Sequence, residues 1–120
     1  MDDRLKKALD FSNYMITLDN QKRILKEKYQ EDLLYYYGGG TFISTKELIT
    51  FCYSMISAGQ EDTVIVDSND IPINVNLQEF VQGVSDTYFR ASNKYYVEYD
   101  KLKTNRSVEG MFDTWAKVLY

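Results

Sequence analysis

The stretch from Phe11 to Tyr29 reads FSNYMITLDNQKRILKEKY, and its periodicity predicts the main element of the fold. Its stripe residues recur in alternating steps of four and three, which keeps them on one face of an α-helix. No Pro or Gly interrupts the chain from Asp2 to Tyr37, so we expect one long helix that ends at the glycines 38–40. The stripe consists of Phe11, Met15, Leu18, Lys22, Leu25 and Tyr29.

A second long helix is predicted after Asn76, with Glu79 at the reciprocal capping position and an end near Thr104. Its apolar stripe again steps by four and three residues, the pattern of two helices packed at a shallow angle. The stripe consists of Leu77, Val81, Val84, Tyr88, Ala91, Tyr95, Glu98 and Leu102.

Smaller elements are predicted between and after the long helices. A capping box at Ser44–Glu47 starts a shorter helix that Gly59 stops. β-Branched runs at 63–66 and 71–75, on either side of a polar turn, indicate a small β-hairpin. We expect Ser107 to cap a short C-terminal helix. We therefore predict one domain over residues 1–120 of α+β class, mostly α, in which the two long helices form a hairpin.

Composition excludes several classes of protein. The 120 residues carry a formal charge of −4, one Cys and no His, which removes the commonest general base and metal ligand and any internal disulfide framework. No apolar run reaches the roughly 18 residues that span a bilayer, and the N-terminus does not resemble a signal peptide. We expect a cytoplasmic protein that has no membrane contact, cofactor or metal.

The motifs that suggest chemistry have simpler interpretations. Cys52 has no His partner and falls on an apolar helix stripe, which favours core packing over nucleophilic catalysis. The glycines 38–40 lack the Gly-Lys-Ser/Thr ending of a phosphate loop. Residues 67–70 lack the later Gly and acidic positions of a calcium loop, so a turn is expected. The sequence therefore predicts no catalytic residues and no enzyme.

The long helices favour self-association. A helix of about 30 residues is roughly 45 Å long, whereas a compact chain of this size has a radius of gyration of about 14 Å. Apolar stripes on such helices need cover from each other or from a second copy. We therefore expect a homo-oligomer, most simply a dimer, or a complex with another protein.

Aromatic residues mark candidate contacts with a partner. Consecutive residues 35–37 of a helix cannot all face one core, so at least one tyrosine ring should be exposed or cap the helix end. The alternative is that Phe42 and Ile43 pack back over that end. The tail has the anchor spacing of a helix that docks in a groove, on its own domain or on a partner. The candidate partner-binding residues are Tyr35, Tyr36, Tyr37, Met111, Phe112, Trp115 and Leu119.

Basic residues interleaved with tyrosines support an alternative, a single-stranded nucleic-acid-binding accessory protein for recombination, replication or transcription. The acidic middle of the chain opposes it, because residues 29–100 carry eleven Asp or Glu and three Lys or Arg. The residues for this alternative are Lys22, Arg23, Lys26, Lys101, Lys103 and Arg106.

Four segments resemble a family of small uncharacterised proteins of T-even-like marine phages, notably the cyanophage-type myoviruses. They are LKKALDFSNYM at 5–15, NQKR at 20–23, YYYGGGTF at 35–42 and YFRASNKYY at 88–96. Residues 28–38 also resemble a short segment of the phage mediator that loads a recombinase on single-stranded DNA. The resemblance implies a phage-encoded protein in the host cytoplasm, and it implies that any partner other than a second copy is a host or phage protein. We expect a non-enzymatic accessory or interaction protein, and a minor virion component is a further alternative.

Overall fold

The computed structural model describes residues 2–105. They are mostly helical, with three helices and two antiparallel two-stranded sheets, and the fold is therefore α+β. The chain divides into two compact units, one of residues 29–94 and one of residues 1–28 with 95–120. The elements are α1 (Asp3–Asp32), β1 (Leu34–Tyr37), β2 (Gly40–Ile43), α2 (Lys46–Ser57), β3 (Asp62–Val66), β4 (Pro72–Asn76) and α3 (Leu77–Asn105). The predicted C-terminal helix lies outside the described residues.

The prediction that the first helix runs to Tyr37 was wrong, because α1 ends at Asp32 and residues 34–37 form β1. β1 pairs with β2 in a hairpin whose register sets Tyr35 opposite Phe42. Gly38 and Gly39 form the two-residue loop with φ of 57° and 82°. Two positive φ values match the right-handed twist of the strands, and glycine adopts them without strain.

The N-cap of the shorter helix lies one residue later than predicted. Thr45 is the N-cap of α2, and its side-chain oxygen accepts a hydrogen bond from the N–H of Leu48 at 3.1 Å. Ser44, the predicted cap, is instead fully buried. Gly59 follows the last turn of α2 with φ of 87°, so the predicted stop is confirmed.

The predicted hairpin at 63–66 and 71–75 is confirmed as β3 and β4. The register pairs Ile65 with Ile73 and Val66 with Pro72. Pro72 lies in a two-stranded sheet, where both strands are edges, as its missing N–H requires. The predicted start of the third helix is also confirmed, because the Asn76 side chain accepts a hydrogen bond from the N–H of Glu79 at 3.1 Å.

The core of residues 29–94 is built around Phe80, at the start of α3. Its ring contacts those of Phe42, Tyr37 and Tyr35 with centroid distances of 4.9, 5.4 and 5.8 Å, all edge to face. Both hairpins, α2 and α3 therefore contribute to one core. Its buried members are Phe42, Cys52, Val75, Leu77, Phe80, Val81 and Val84.

In the other unit, the first part of α1 contacts the last part of α3. Leu18 is buried there with 3% of its surface exposed. The ammonium of Lys22 lies 5.8 Å from the centre of the Tyr99 ring, and Lys28 pairs with Glu98 at 3.8 Å. Within residues 2–105, no helix is long and apolar enough to cross a membrane.

Candidate interaction surfaces

The three consecutive tyrosines are divided by strand alternation. Side chains of successive strand residues point to opposite faces, so Tyr36 is 70% exposed while Tyr35 and Tyr37 pack on Phe80. The expectation of at least one exposed ring is met by Tyr36. The reason differs from the helical one, because the alternation belongs to β1.

Tyr35 serves packing rather than recognition. Its ring and hydroxyl lie so close to Gly83 of α3 that a methyl group there would collide with them. Burial raises the pKa of the Tyr35 phenol, and the negative charges of Tyr37, Glu79 and Asp86 raise it further. The ring therefore stays neutral and holds β1 against the helix.

Tyr37 also has a structural role. Its hydroxyl oxygen accepts a hydrogen bond from the backbone N–H of Asn76, at the end of β4, at 3.3 Å. Because Tyr37 belongs to the first hairpin and Asn76 to the second, this bond links the two. Of the three predicted tyrosines, Tyr36 is therefore the one whose ring is free for a partner.

Two of the predicted nucleic-acid-binding residues meet in residues 1–28 with 95–103. Lys22 and Lys103 line a cavity of about 200 Å³ together with Tyr99, and Leu18 and Leu102 supply its apolar wall. Two cations beside an aromatic ring suit a phosphate next to a stacked base. However, the Lys22 ammonium already lies over the Tyr99 ring.

The other predicted basic residues do not join that cavity. Arg23 pairs with Glu27 one turn further along α1, at 3.2 Å. Lys26 is exposed, and Lys101 also lies outside the cavity lining. Arg106 lies outside the described residues, as do the predicted partner residues Met111, Phe112, Trp115 and Leu119.

A row of exposed apolar residues runs along the first half of α1. Leu5, Leu9 and Ile16 are 52%, 47% and 57% exposed. At about 100° per residue, they lie roughly 140–180° around the helix from buried Leu18. We call these three residues the α1 stripe. It differs from the stripe predicted from sequence, which lies on the side of Leu18.

A groove that was not predicted from the sequence lies among β2, the start of α2 and β3. Its volume is about 290 Å³, and Ile43 and Val66 at its margin are 48% and 57% exposed. Val64, on the same strand as Val66, is 59% exposed. The alternation of valines in β3 was visible in the sequence, but their outward orientation depends on tertiary packing. The groove is lined by Phe42, Ile43, Thr45, Leu48, Ile65, Val66, Asp67 and Ser68.

The polar turn between β3 and β4 is organised by Asp67. Its carboxylate accepts hydrogen bonds from the N–H groups of Thr41, Asn69 and Ile71 at 3.0, 2.9 and 2.8 Å. These bonds, with the one from Thr41 foremost, hold the pKa of Asp67 below its ordinary value. The prediction of a turn is confirmed, and the carboxylate is engaged by the backbone of its own chain.

Cys52 is fully buried in the core, as its position on an apolar stripe predicted. Burial raises the pKa of its thiol, which keeps it protonated and unreactive. Among residues 2–105, no group of three or more His, Cys, Asp or Glu side chains is placed to hold a metal ion.

The chain was compared with protein-family models, curated proteins and solved structures, and none of them matched.

Proposed function

We propose that this chain is a non-enzymatic accessory protein, encoded by a phage, that acts on itself or on another protein through helical and aromatic surfaces. Its place of action under this proposal is the host cytoplasm. The burial of Cys52 supports the non-enzymatic part, because the one thiol of the chain is withdrawn from substrates.

The single observation that carries the proposal is the α1 stripe. Leu5, Leu9 and Ile16 leave about half of their surfaces in water, on the side of α1 opposite to Leu18. Full burial of an exposed Leu or Ile is worth roughly 1.5–3 kcal/mol, so covering the exposed half of each of these side chains gains about half of that. Apolar residues on a helix face at this spacing pack well against the same face of a second copy, so the primary mode is a helix-mediated dimer.

We propose further that α1 and α3 pack as an antiparallel hairpin. Within residues 1–28 with 95–103, Lys22 contacts Tyr99 and Lys28 pairs with Glu98. Within residues 29–94, the hydroxyls of Tyr29 and Ser92 hydrogen-bond at 3.1 Å. This arrangement covers the Leu18 side of α1 within one chain and leaves the α1 stripe for a partner.

Size-exclusion chromatography with light scattering, over a wide range of protein concentration, tests the proposal. We expect a mass above the 14.1 kDa of one chain that rises with concentration. A mass of one chain at every concentration would contradict self-association. Cross-linking before chromatography would reveal a dimer that dissociates on the column.

Single-stranded nucleic-acid binding is the second candidate, and the cavity between Lys22, Tyr99 and Lys103 favours it. Fluorescence anisotropy of a labelled single-stranded oligonucleotide at low salt tests it. Binding that weakens steeply with salt, and that Lys103→Glu abolishes, supports this function. Binding that is absent, or that does not depend on salt, excludes it.

A further inference from the structure

Within the described residues 2–105, no strand pairs with the outer edge of β3. The hydrogen bonds from Asp67 N–H to the Ile71 carbonyl and from Leu77 N–H to the Glu61 carbonyl set the phase of the β3–β4 ladder. The backbone groups of successive residues in an antiparallel strand point alternately toward and away from the paired strand. The N–H and C=O groups of Val64 and Val66 therefore point away from β4. Within residues 2–105, neither valine makes a backbone hydrogen bond to another element.

The outer edge of β4 is protected, in contrast to that of β3. Pro72 has no N–H to offer there, and the outward N–H of Asn76 donates to the Tyr37 hydroxyl. Proline and lysine are the residues that usually prevent pairing at an exposed edge. β3 has neither, and it carries Val64 and Val66 in their place. Pro72 and Asn76 thus offer no free N–H at the outer edge of β4, whereas Val64 and Val66 both offer one at the outer edge of β3.

Side chains beside the open edge form a binding surface. Val64 and Val66 are more than half exposed, and Val66 also lines the groove of about 290 Å³. Ile43 and Leu48 are further apolar residues of its lining. A strand added to β3 would gain main-chain hydrogen bonds from the edge and apolar contacts from the groove.

Charge indicates the chemistry of the strand that fits. No Lys or Arg occurs between Lys46 and Arg90, and residues 29–94 as a whole have a net charge of −6. Asp62 is exposed and lies in the same outward row as Val64 and Val66. A second copy would bring another −6 to the same edge, which opposes self-pairing. A basic partner is complementary.

We propose that β3 binds an extended segment of a different protein by antiparallel strand addition, with a basic residue opposite Asp62 and apolar residues opposite Val64 and Val66. This inference rests on the proposed function only in its premise that the chain acts by binding proteins. It concerns residues 29–94, whereas self-association through the α1 stripe concerns residues 1–28.

The probe is the peptide Lys-Thr-Val-Thr-Val-Thr-Lys with blocked ends, which reads the same in both directions. It is titrated into ¹⁵N-labelled full-length protein. We expect amide shifts at 62–66 and 41–48, with the amides of 5–16 unchanged. N-methylation of both peptide valines removes the donors that would face β3, and it should abolish the shifts. Absence of shifts up to about 1 mM peptide, shifts centred elsewhere, or equal binding of the methylated peptide would overturn the proposal.

Charge exchange tests the assigned contact directly. Asp62→Lys should weaken the binding of the basic peptide by about tenfold. The same variant should bind the matching peptide that has Glu in place of Lys. Val66→Lys should block both peptides, whereas Val97→Lys, at a valine 49% exposed on α3, should leave binding unchanged. Circular dichroism verifies that each variant is folded. If Asp62→Lys and Val66→Lys bind the basic peptide as the unaltered chain does, the assignment is wrong.

Light scattering on the same samples separates this proposal from self-association. Peptide binding without a dimer would support the β3 site and contradict the α1 stripe. A dimer without peptide binding would support the α1 stripe and contradict the β3 site.

Discussion

Asp67 accepts a hydrogen bond from the backbone N–H of Thr41 at 3.0 Å, although the two residues are 26 apart in sequence. Ser68 strengthens the link, because its N–H and its hydroxyl both donate to the Thr41 carbonyl at 2.9 Å. The turn of the second hairpin is thereby fastened to the second strand of the first. This contact fixes the end of the groove where the proposed partner strand would lie.

Loss of the Asp67 carboxylate should therefore destabilise the protein. Asp67→Asn replaces one acceptor oxygen by an NH₂ group that cannot accept from a backbone N–H. We expect a clearly lower melting temperature at pH 7. Asp70→Asn is the matched control, because Asp70 is exposed in the same turn at φ of 62°, where Asn is equally tolerated. A melting temperature of Asp67→Asn equal to that of Asp70→Asn would contradict the role of Asp67.

The same carboxylate gives stability a defined dependence on pH. Hydrogen bonds from Thr41, Ile71 and Asn69 lower the pKa of folded Asp67. Its contribution is therefore complete above the unfolded pKa of about 4 and is lost as pH falls through the lower folded value. The gap in melting temperature between the unaltered chain and Asp67→Asn should be constant from neutral pH to about pH 5 and should narrow below it. A gap that persists unchanged at pH 2 would refute this assignment.

Two adjacent residues should respond in opposite ways to truncation. Thr45→Ala removes the N-cap of α2 and should cost about 1 kcal/mol of unfolding free energy. Ser44 is fully buried, and its hydroxyl has no hydrogen-bond partner among the described residues. Ser44→Ala removes a desolvated polar group and should leave stability unchanged or raise it by up to about 1 kcal/mol. Urea denaturation measures both. A larger loss for Ser44→Ala than for Thr45→Ala would restore Ser44 as the cap.

Gly83 should resist a substitution that normally stabilises helices. Gly→Ala inside a helix normally raises the unfolding free energy by up to about 1 kcal/mol. A methyl group at Gly83, however, would collide with the Tyr35 ring and hydroxyl. We expect Gly83→Ala to lower the unfolding free energy by about 1–3 kcal/mol. Gln82→Ala, at the exposed neighbour, should be nearly neutral. In a Tyr35→Ala background, Gly83→Ala should no longer destabilise, and a loss that persists there would exclude the collision as its cause.

Cys52 should be inert until the chain unfolds. Burial raises the pKa of its thiol and shields the sulfur, so a thiol reagent should react much more slowly with the native protein than with the protein in denaturant. The measurement is the rate of reaction with a chromogenic disulfide at pH 8. Equal native and denatured rates would show that the thiol is accessible.

Local signals in the sequence were sufficient for the elements with strong periodicity or clear caps. The two long helices, the cap at Asn76 and the β-branched runs of β3 and β4 are encoded by neighbouring residues. The β1–β2 hairpin was missed although its signal was present. Three tyrosines followed by Gly38 and Gly39 combine β-forming aromatic residues with a loop of positive φ, and this local preference outweighs the absence of a helix breaker before Gly38.

The site could be predicted only in part, because it depends on contacts between residues distant in the sequence. Nothing local to Tyr35 indicates that its ring rests on Gly83, and nothing local to Thr41 indicates Asp67. β3 rather than β4 offers the open edge, because Pro72 and the contact of the Tyr37 hydroxyl with Asn76 both belong to the outer edge of β4. The six predicted basic residues form two clusters in the sequence, at 22–26 and 101–106. Even within the first cluster, helix geometry directs Lys22 and Arg23 to different neighbours.

The α1 stripe is the centre of the proposed function, and Ile16→Glu tests it most directly. Ile16 is 57% exposed, so the substitution should not impair folding of the single chain, whereas a charge within the apolar face of a helix-mediated dimer should disrupt the dimer. Gln30→Glu, at an exposed position of α1 beyond the stripe, is the control. Light scattering should give a dimer for the unaltered chain and for Gln30→Glu, and a monomer for Ile16→Glu. A mass that is the same for all three proteins would contradict the account.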